Sequence, residues 1–422
     1  MKQYRTQIQR KADRVLVVGI GRPGLTRQQM MLSLEELVDL VHTAGGQVVG
    51  STYQDLKRID PATFIGKGKV QDIAALVQET QADLVVLDEE ISPIQNRNLE
   101  DQLKVYVLDR TAVILDIFAM RARTSEGQLQ VELAQLEYLA PRLVGRGKML
   151  SQQTGGIGTR GPGETQLEYD RRRIRDRITH LKRDIERVRG SREIYRAKRQ
   201  AVPIPLVAIV GYTNAGKSTL MNQLTKANLF VEDKLFATLD PTVRRLRLPS
   251  GREILLADTV GFIRRLPHQL VAAFKATFEE ISFADLIVEI IDCADPDAPQ
   301  QRQVVDEVLT EMRLNNKPHL IVLNKTDLPE KYMSSQEGIS ISALKAKGLE
   351  LLIDKIDESL RQCFHRLKLK LPYAEGHILS TIYRIGHVFE AKHEDEYIYV
   401  DCELPDKYRQ KYRKYQLSLR GA

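Results

Sequence analysis

The stretch Gly211-Tyr-Thr-Asn-Ala-Gly-Lys-Ser218 sets the architecture of the central region. It follows the apolar run 206–210, which is typical of a buried parallel strand, and it opens a predicted helix. In this context, G-x-x-x-x-G-K-[ST] binds phosphate through loop N–H groups and the helix N-terminus. Lys217 is expected to reach the β/γ-phosphates and Ser218 to bind Mg²⁺. The predicted phosphate-binding residues are Gly211, Tyr212, Thr213, Asn214, Ala215, Gly216, Lys217, Ser218 and Thr219.

Composition bounds the class of protein. A chain of 422 residues is too long for one ordinary core and predicts about three domains. Apolar content of 42% and charged content of 28% are typical of a soluble globular protein. There is no apolar run of ~20 residues, the length that a membrane span needs, and no secretory signal. The three cysteines are far apart and lack metal-ligand spacing, so we expect a cytoplasmic protein without disulfides or a zinc site. We also expect a monomer.

Residues 1–125 predict a small α/β domain, because short apolar strands alternate with helical segments. The stretch Gly19-Ile-Gly-Arg-Pro-Gly24 offers an alternative interpretation as a dinucleotide-binding loop. Pro23 interrupts that loop, the following helix is expected to begin only near Ser33, and no acidic residue clearly ends the second strand. A second nucleotide site here is therefore disfavoured.

Residues 126–200 predict an antiparallel helical hairpin, because apolar residues recur at 4-3 spacing in two stripes. The connecting tip, residues 145–163, contains seven glycines and cannot form a core, so we expect it to lie close to another surface. Between Arg142 and Arg199 there are 17 Lys/Arg and 7 Asp/Glu, whereas the whole chain carries a net charge of only +7. Concentrated positive charge with few aromatic residues favours RNA backbone contacts. The predicted RNA-binding residues are Arg146, Lys148, Arg160, Arg171, Arg172, Arg173 and Arg175.

Residues 201–366 predict a doubly wound, mostly parallel nucleotide-binding domain, and residues 367–422 a small α+β domain. Two further loops follow predicted strands of the nucleotide-binding domain. Asp258-Thr-Val-Gly261 places an acid where it can bind Mg²⁺ through water and a glycine N–H near the γ-phosphate. Asn324-Lys-Thr-Asp327 offers a carboxylate that can accept from N1–H and the exocyclic amine of guanine.

The base site is completed by the loop after the next strand, which would place an amide at guanine O6. Asn324 is expected to tie the base loop to the phosphate loop, and the Lys325 stem to lie along the base. Adenine lacks the donor pair that Asp327 would recognise, so the set predicts a GTP site. The residues expected around the base are Asn324, Lys325, Asp327, Ser342, Ala343 and Leu344.

These motifs resemble those of translation-factor-class GTPases. Phe236-Ala-Thr-Leu-Asp-Pro-Thr242 is similar to switch I of the Obg–HflX superfamily. The stretch 258–267, the glycine-rich tip and the preceding α/β domain resemble the HflX family of ribosome-associated GTPases, over the whole chain. The resemblance implies hydrolysis of GTP to GDP and phosphate, with Thr238 closing on Mg²⁺ and the γ-phosphate; Thr242 is the other candidate. It also implies binding to the large ribosomal subunit and its RNA, and splitting of stalled or stress-inactivated 70S ribosomes.

Two residues qualify the expected chemistry at the γ-phosphate, where Lys217 and Gly261 are the other groups expected to act. Phe262 stands where related enzymes carry a water-orienting glutamine, so basal hydrolysis should be slow. Asn214 is typical of GTPases that use K⁺ in place of an arginine finger, so K⁺ is a possible cofactor beside Mg²⁺. Two alternative functions remain open: ribosome assembly on large-subunit precursors, or a protein-binding switch without RNA contact.

Overall fold

A computed structural model describes residues 12–142, 162–200, 204–225, 235–239, 242–265, 281–333, 335–361, 364–394 and 396–417. They form two compact units. The first contains the described residues up to 186 together with 235–239 and 263–265, and the second contains the others. None of the helices in these ranges combines the length and apolarity needed to cross a bilayer. The division into four domains stays a prediction.

The first unit contains a fully parallel four-stranded sheet in the order β2-β1-β3-β4. The strands are β1 (Arg14–Gly21), β2 (Gln47–Asp55), β3 (Leu84–Leu87) and β4 (Tyr106–Asp109). The helices are α1 (Arg27–Thr43), α2 (Lys67–Thr80), α3 (Pro93–Leu103) and α4 (Arg110–Arg121). This alternation agrees with the predicted α/β class. Helix α4 shows no clear apolar period because its buried residues are nearly continuous from Arg110 to Phe118.

The glycines of the possible dinucleotide loop lie in a different setting from the one expected. Helix α1 begins at Arg27 and is capped by Thr26, so the expected start near Ser33 is wrong. An acid does end the second strand, namely Asp55. Its carboxylate approaches so closely that a Cβ at Gly21 would lie 2.2 Å from Asp55 Oδ1. The space that a pyrophosphate would need is therefore filled by a side chain.

Two further helices, α5 (Ser125–Arg142) and α6 (Pro162–Gln200), correspond to the predicted helical pair. The ion pairs Arg177–Glu132 and Lys182–Glu137, at 2.7 and 2.9 Å, join them. Helix α5 also packs on the first sheet's layer, since the buried Tyr138 hydroxyl donates to Asp109 Oδ1 at 2.8 Å. Most of the glycine-rich tip, with Arg146, Lys148 and Arg160, lies outside the described residues, so the antiparallel hairpin stays a prediction.

The second unit contains the predicted doubly wound sheet, in the order β10-β9-β8-β5-β7-β6. Every neighbouring pair is parallel except β6 and β7. The strands are β5 (Leu206–Gly211), β6 (Thr242–Arg247), β7 (Glu253–Asp258), β8 (Leu286–Asp292), β9 (His319–Asn324) and β10 (Ile339–Ser340). The helices are α7 (Lys217–Thr225), α8 (Ala298–Glu311) and α9 (Leu349–Arg361). The strand ends gather the phosphate and base loops at one edge of the sheet.

A three-stranded antiparallel sheet, β11-β13-β12, follows α9. Its elements are β11 (Phe364–Pro372), helix α10 (His377–Ile385), β12 (His387–Glu394), β13 (Tyr397–Pro405) and helix α11 (Asp406–Tyr412). This is the expected α+β arrangement, although β11 begins three residues before the predicted boundary at 367.

One buried arginine connects this small sheet to the six-stranded sheet. Arg252 immediately precedes β7; its guanidinium pairs with Asp357 of α9 at 3.6 Å and with Glu403 of β13. It also lies 4.6 Å from the ring centroid of Phe364. A buried guanidinium is stable only with such partners, so the three elements are held together at this point.

Candidate nucleotide-binding site

The phosphate loop connects β5 to α7 through two glycines with positive φ. Gly211 has φ 146° and passes so close to β8 that a Cβ would lie 2.2 Å from the Ile290 carbonyl oxygen. Gly216 has φ 95°, and a Cβ there would lie 2.2 Å from Asn324 Nδ2. L-residues rarely adopt such backbone conformations, so glycine is required at both positions. The loop is therefore closed onto β8 on one side and onto the β9 end on the other.

Lys217 lies inside this loop, not in solvent. Its Nζ donates to the carbonyl oxygens of Gly211 and Tyr212 at 3.1 and 2.6 Å. Burial lowers the pKa of Lys217 to about 8, and the Asp258 carboxylate partly opposes that shift. An ammonium has three donors, so one remains for a phosphate oxygen. A bound phosphate would stabilise the charged form that burial disfavours.

The two oxygen ligands predicted for Mg²⁺ in this unit lie side by side. Ser218 Oγ donates to Asp258 Oδ2 at 2.7 Å. Hydroxyl and carboxylate oxygens suit Mg²⁺, so this pair fits the ion. No group of three or more His, Cys, Asp or Glu that could hold a metal occurs among the described residues. A Mg²⁺ ion held by Ser218 and Asp258 would supply positive charge that neutralises phosphate oxygens.

Gly261 and Phe262 pack directly on the phosphate loop. A Cβ at Gly261 would lie 2.8 Å from Thr213 Cα and 2.9 Å from Lys217 Nζ, so only glycine fits. Phe262 N–H donates to Gly211 O at 3.1 Å, and Phe262 O accepts from Thr213 N–H at 2.8 Å. The Phe262 side chain is buried and carries no group that could hydrogen-bond an attacking water.

Asn324 holds three loops of the predicted base site together. Its Nδ2 donates to Ala215 O of the phosphate loop at 2.8 Å, which is the connection that the sequence predicts. Its Oδ1 accepts from Ala343 N–H at 2.9 Å. Ser342 N–H donates to Lys347 O at 3.0 Å, so guanine O6 would have to compete with protein acceptors for both amides. Leu344 is largely exposed.

Asp327 is arranged as an acceptor. Its Oδ1 accepts from Ser342 Oγ at 2.6 Å, and this hydrogen bond lowers the pKa of the Asp327 carboxyl group. An ionised carboxylate has acceptors only, which match the paired N1–H and N2–H donors of guanine. The neighbouring Lys325 Nζ lies 2.7 Å from Asp292 Oδ2, which fixes its stem beside this loop.

Comparisons with known proteins agree with this geometry. Residues 31–119 match the family described as GTP-binding GTPase N-terminal, residues 121–199 the GTP-binding GTPase Middle Region, and residues 206–325 the 50S ribosome-binding GTPase family. GTPase HflX of Caldanaerobacter subterraneus subsp. tengcongensis is 46% identical over 413 residues, which cover 98% of this chain and 96% of the relative. The chain belongs to the HflX family of GTPases. Its enzymatic reaction is therefore the hydrolysis of GTP.

A second curated relative and a solved structure are also similar to this HflX-family chain. GTPase HflX of Escherichia coli is 43% identical over 389 residues, which cover 90% of this chain and 91% of the relative. Among solved structures, a GTP-binding protein from the hyperthermophilic archaeon Sulfolobus solfataricus in complex with GDP is 26% identical. It covers 83% of this chain and 99% of its own, with a TM-score of 0.43.

The remaining predicted site residues of the HflX-family chain lie in different places. Thr238 is half-buried and belongs to the first unit, whereas Ser218 and Asp258 belong to the second. Thr242, the alternative switch I threonine, begins β6 and lies directly opposite Asp258. Asn214 is exposed in the phosphate loop with φ 61°, and Thr219 is half-buried in the first turn of α7.

The predicted RNA-binding arginines that the structure describes all lie on α6. Arg172, Arg173 and Arg175 are exposed, and Arg171 is half-buried. The sequence analysis missed one set of interacting residues in the first unit, namely Arg265 and the buried acids after β3. The acidic run 88–90 was the available signal, but no motif spacing connects it to Arg265.

Proposed function

We propose that this GTPase binds the large ribosomal subunit in its GTP state and splits stalled or inactive 70S ribosomes in the cytoplasm, acting as a monomer. Hydrolysis then resets the factor. The cluster of exposed arginines on α6, in a chain of the HflX family of GTPases, is the observation that carries this proposal. The match of residues 206–325 to the 50S ribosome-binding GTPase family supports the choice of partner.

The exposed arginines of α6 are suited to bind RNA phosphates. Arg172, Arg173 and Arg175 are exposed, whereas Arg177 is already engaged by Glu132 through two hydrogen bonds of 2.9 and 2.7 Å. Cations that displace counterions from a nucleic acid give binding that weakens steeply with salt. We therefore assign RNA contacts to Arg171, Arg172, Arg173 and Arg175, with Arg146, Lys148 and Arg160 of the tip as further contacts.

At the γ-phosphate, we assign Lys217 and Gly261 to phosphate binding and Thr238 to closure over Mg²⁺. Their task is positioning and charge stabilisation, because phosphoryl transfer needs little covalent chemistry from the protein. Phe262 cannot orient a water, so the isolated enzyme should turn over slowly. Binding energy, and not hydrolysis, would then drive the separation of subunits.

Sedimentation of 70S ribosomes with a non-hydrolysable GTP analogue tests the proposal. The wild-type chain should split one equivalent of ribosomes and then remain bound to the large subunit. Replacing Arg171, Arg172, Arg173 and Arg175 by Gln should abolish splitting at physiological salt and make the salt dependence of binding shallower. Replacing the exposed Arg244, Arg245 and Arg247 of β6 by Gln is the matched control and should leave splitting intact.

Three outcomes would contradict the splitting proposal. If every round of splitting requires hydrolysis, binding energy is not the driving force. If the α6 variant binds ribosomes normally, the helix serves as a protein adaptor. If depletion accumulates large-subunit precursors while mature 70S ribosomes are not split, ribosome assembly is the function.

We also propose K⁺ as a cofactor beside Asn214, which is exposed in the phosphate loop and carries a side-chain oxygen. A monovalent cation there would add positive charge between the phosphates during hydrolysis. Single-turnover hydrolysis on ribosomes should be faster in K⁺ than in Na⁺ at equal ionic strength. Equal rates in the two salts would rule this role out.

A further inference from the structure

Two buried carboxylates follow β3 at the carboxyl edge of the first sheet. Asp88 accepts from Ser33 Oγ at 2.5 Å and from Arg110 Nη1 at 2.7 Å, and Glu89 pairs with Arg22. The side chains of Asp88 and Glu89 are 0% and 4% exposed. Buried carboxylates require cationic or hydrogen-bonding partners. Asp88 and Glu89, at the end of β3, therefore form a buried acidic binding site with fixed geometry, the acidic receptor.

Arg265, four residues after Gly261, enters this receptor. Its Nη1 donates to Asp88 O at 2.8 Å and lies 2.9 Å from Glu89 Oε1 and 3.6 Å from Asp88 Oδ2. All three residues belong to the first unit. The Arg265 backbone has φ 53°, a left-handed conformation that is uncommon for non-glycine residues.

The segment that precedes Thr238 is held in the same manner. Phe236, two residues before Thr238, has φ 54° and is buried. Its ring packs edge-on against Phe118 of α4, with centroids 4.7 Å apart. Edge-to-face pairs of this kind are favourable beyond the area that they bury. Arg265 follows Gly261 and Phe236 precedes Thr238. Each of the two thus combines a left-handed backbone with a side chain that packs within the first unit.

We propose that Arg265 and Phe236 are positioning residues for GTP hydrolysis, and that the receptor formed by Asp88 and Glu89 sets the hydrolysis rate through Arg265. The proposal rests on the assigned roles of Gly261 and Thr238. Docking restricts the loops that carry Gly261 and Thr238, so less conformational entropy is lost when the transition state forms. Undocking lets the left-handed residues relax, and Gly261 and Thr238 then sample unproductive positions.

Burial of the receptor makes it dependent on the arginine. Burial raises the pKa of Asp88 to about 7 and also raises the pKa of Glu89, while the charge of Arg265 opposes both shifts. Without Arg265 the receptor loses one of the cations that favour its ionised form, and Arg110 and Arg22 remain. The contact is therefore mutual: the acids hold the loop, and the loop helps to keep the acids charged.

Steady-state GTP hydrolysis by Arg265→Ala tests the proposal. We expect kcat to fall about tenfold while the KM for GTP and the Kd for GDP stay unchanged, because the base and phosphate loops remain intact. Arg265→Lys should recover part of the loss. Arg313→Ala is the matched control: Arg313 is exposed, also has positive φ (59°), and should leave kcat unaltered.

A double-mutant cycle with Glu89→Gln identifies the partner. The double variant should be little worse than Arg265→Ala alone, since both changes remove one contact. Wild-type or raised kcat in both Arg265 variants, or strictly additive effects in the cycle, would overturn the proposal. Gly261→Ala, assayed in parallel, distinguishes failure of the proposed γ-phosphate role from failure of the positioning role. Normal hydrolysis in Gly261→Ala would refute the γ-phosphate role of Gly261. Normal hydrolysis only in the Arg265 variants would refute the positioning role of Arg265.

Discussion

Asp327→Asn should lower the affinity for GTP by about a hundredfold or more and create affinity for xanthosine triphosphate. The carboxylate accepts from both donors of guanine, whereas an amide would set its own NH₂ against the exocyclic amine. Xanthine carries an oxygen at that position, which the new NH₂ can meet. Ser342 Oγ, now 2.6 Å from Asp327 Oδ1, can still donate to the amide oxygen, so the loop should keep its shape.

Competition binding with fluorescent guanine and xanthine nucleotides measures this exchange. Asp354→Asn serves as the control, because it makes the same chemical change on the exposed face of α9. That variant should bind GTP like the wild type. Undiminished GTP affinity in Asp327→Asn would show that the base is held elsewhere.

Gly216→Ala should abolish nucleotide binding at micromolar concentrations. The added Cβ would lie 2.2 Å from Asn324 Nδ2, and the backbone has φ 95°. Asn324 would have to leave Ala215 O, and the phosphate and base loops would separate. Backbone strain at positive φ adds about 1 kcal/mol or more.

Gly251→Ala distinguishes the effect of backbone strain from the effect of a steric contact such as that between Gly216 and Asn324. Gly251 has φ 85°, but no atom lies within 4 Å of its Cβ position. This variant should lose about 1 kcal/mol of stability and still bind GTP. Isothermal titration of GDP into both variants provides the comparison. Equal GDP affinities would refute the idea that the contact between Gly216 and Asn324 assembles the site.

The sequence was sufficient to predict the sheets and the nucleotide loops, because these depend on short-range signals. Apolar runs of strand length locate β3, β5 and β8, and the carboxyl ends of parallel strands meet at one edge. Asn324 and Ala215 could therefore be placed together although 109 residues separate them.

Contacts without such a rule could not be predicted. Arg265 and Asp88 are 177 residues apart, and nothing in the spacing around either residue indicates the other. Asp55 was overlooked because β2 extends well past the apolar pair Val48-Val49 and exposes alternate residues. The placement of α5 and α6 along each other also depends on side-chain packing, which two apolar stripes alone do not specify.

The buried Arg252 connects the three-stranded sheet with strand β7 of the six-stranded sheet. It fastens the start of β7 to α9 and to the three-stranded sheet, and β7 ends at Asp258 beside Ser218. From Arg252 to Asp258 is about 20 Å of extended chain, flanked by β5 and β6. The contacts of Arg252 thus link the three-stranded sheet mechanically, through β7, to the carboxylate that is predicted to bind Mg²⁺.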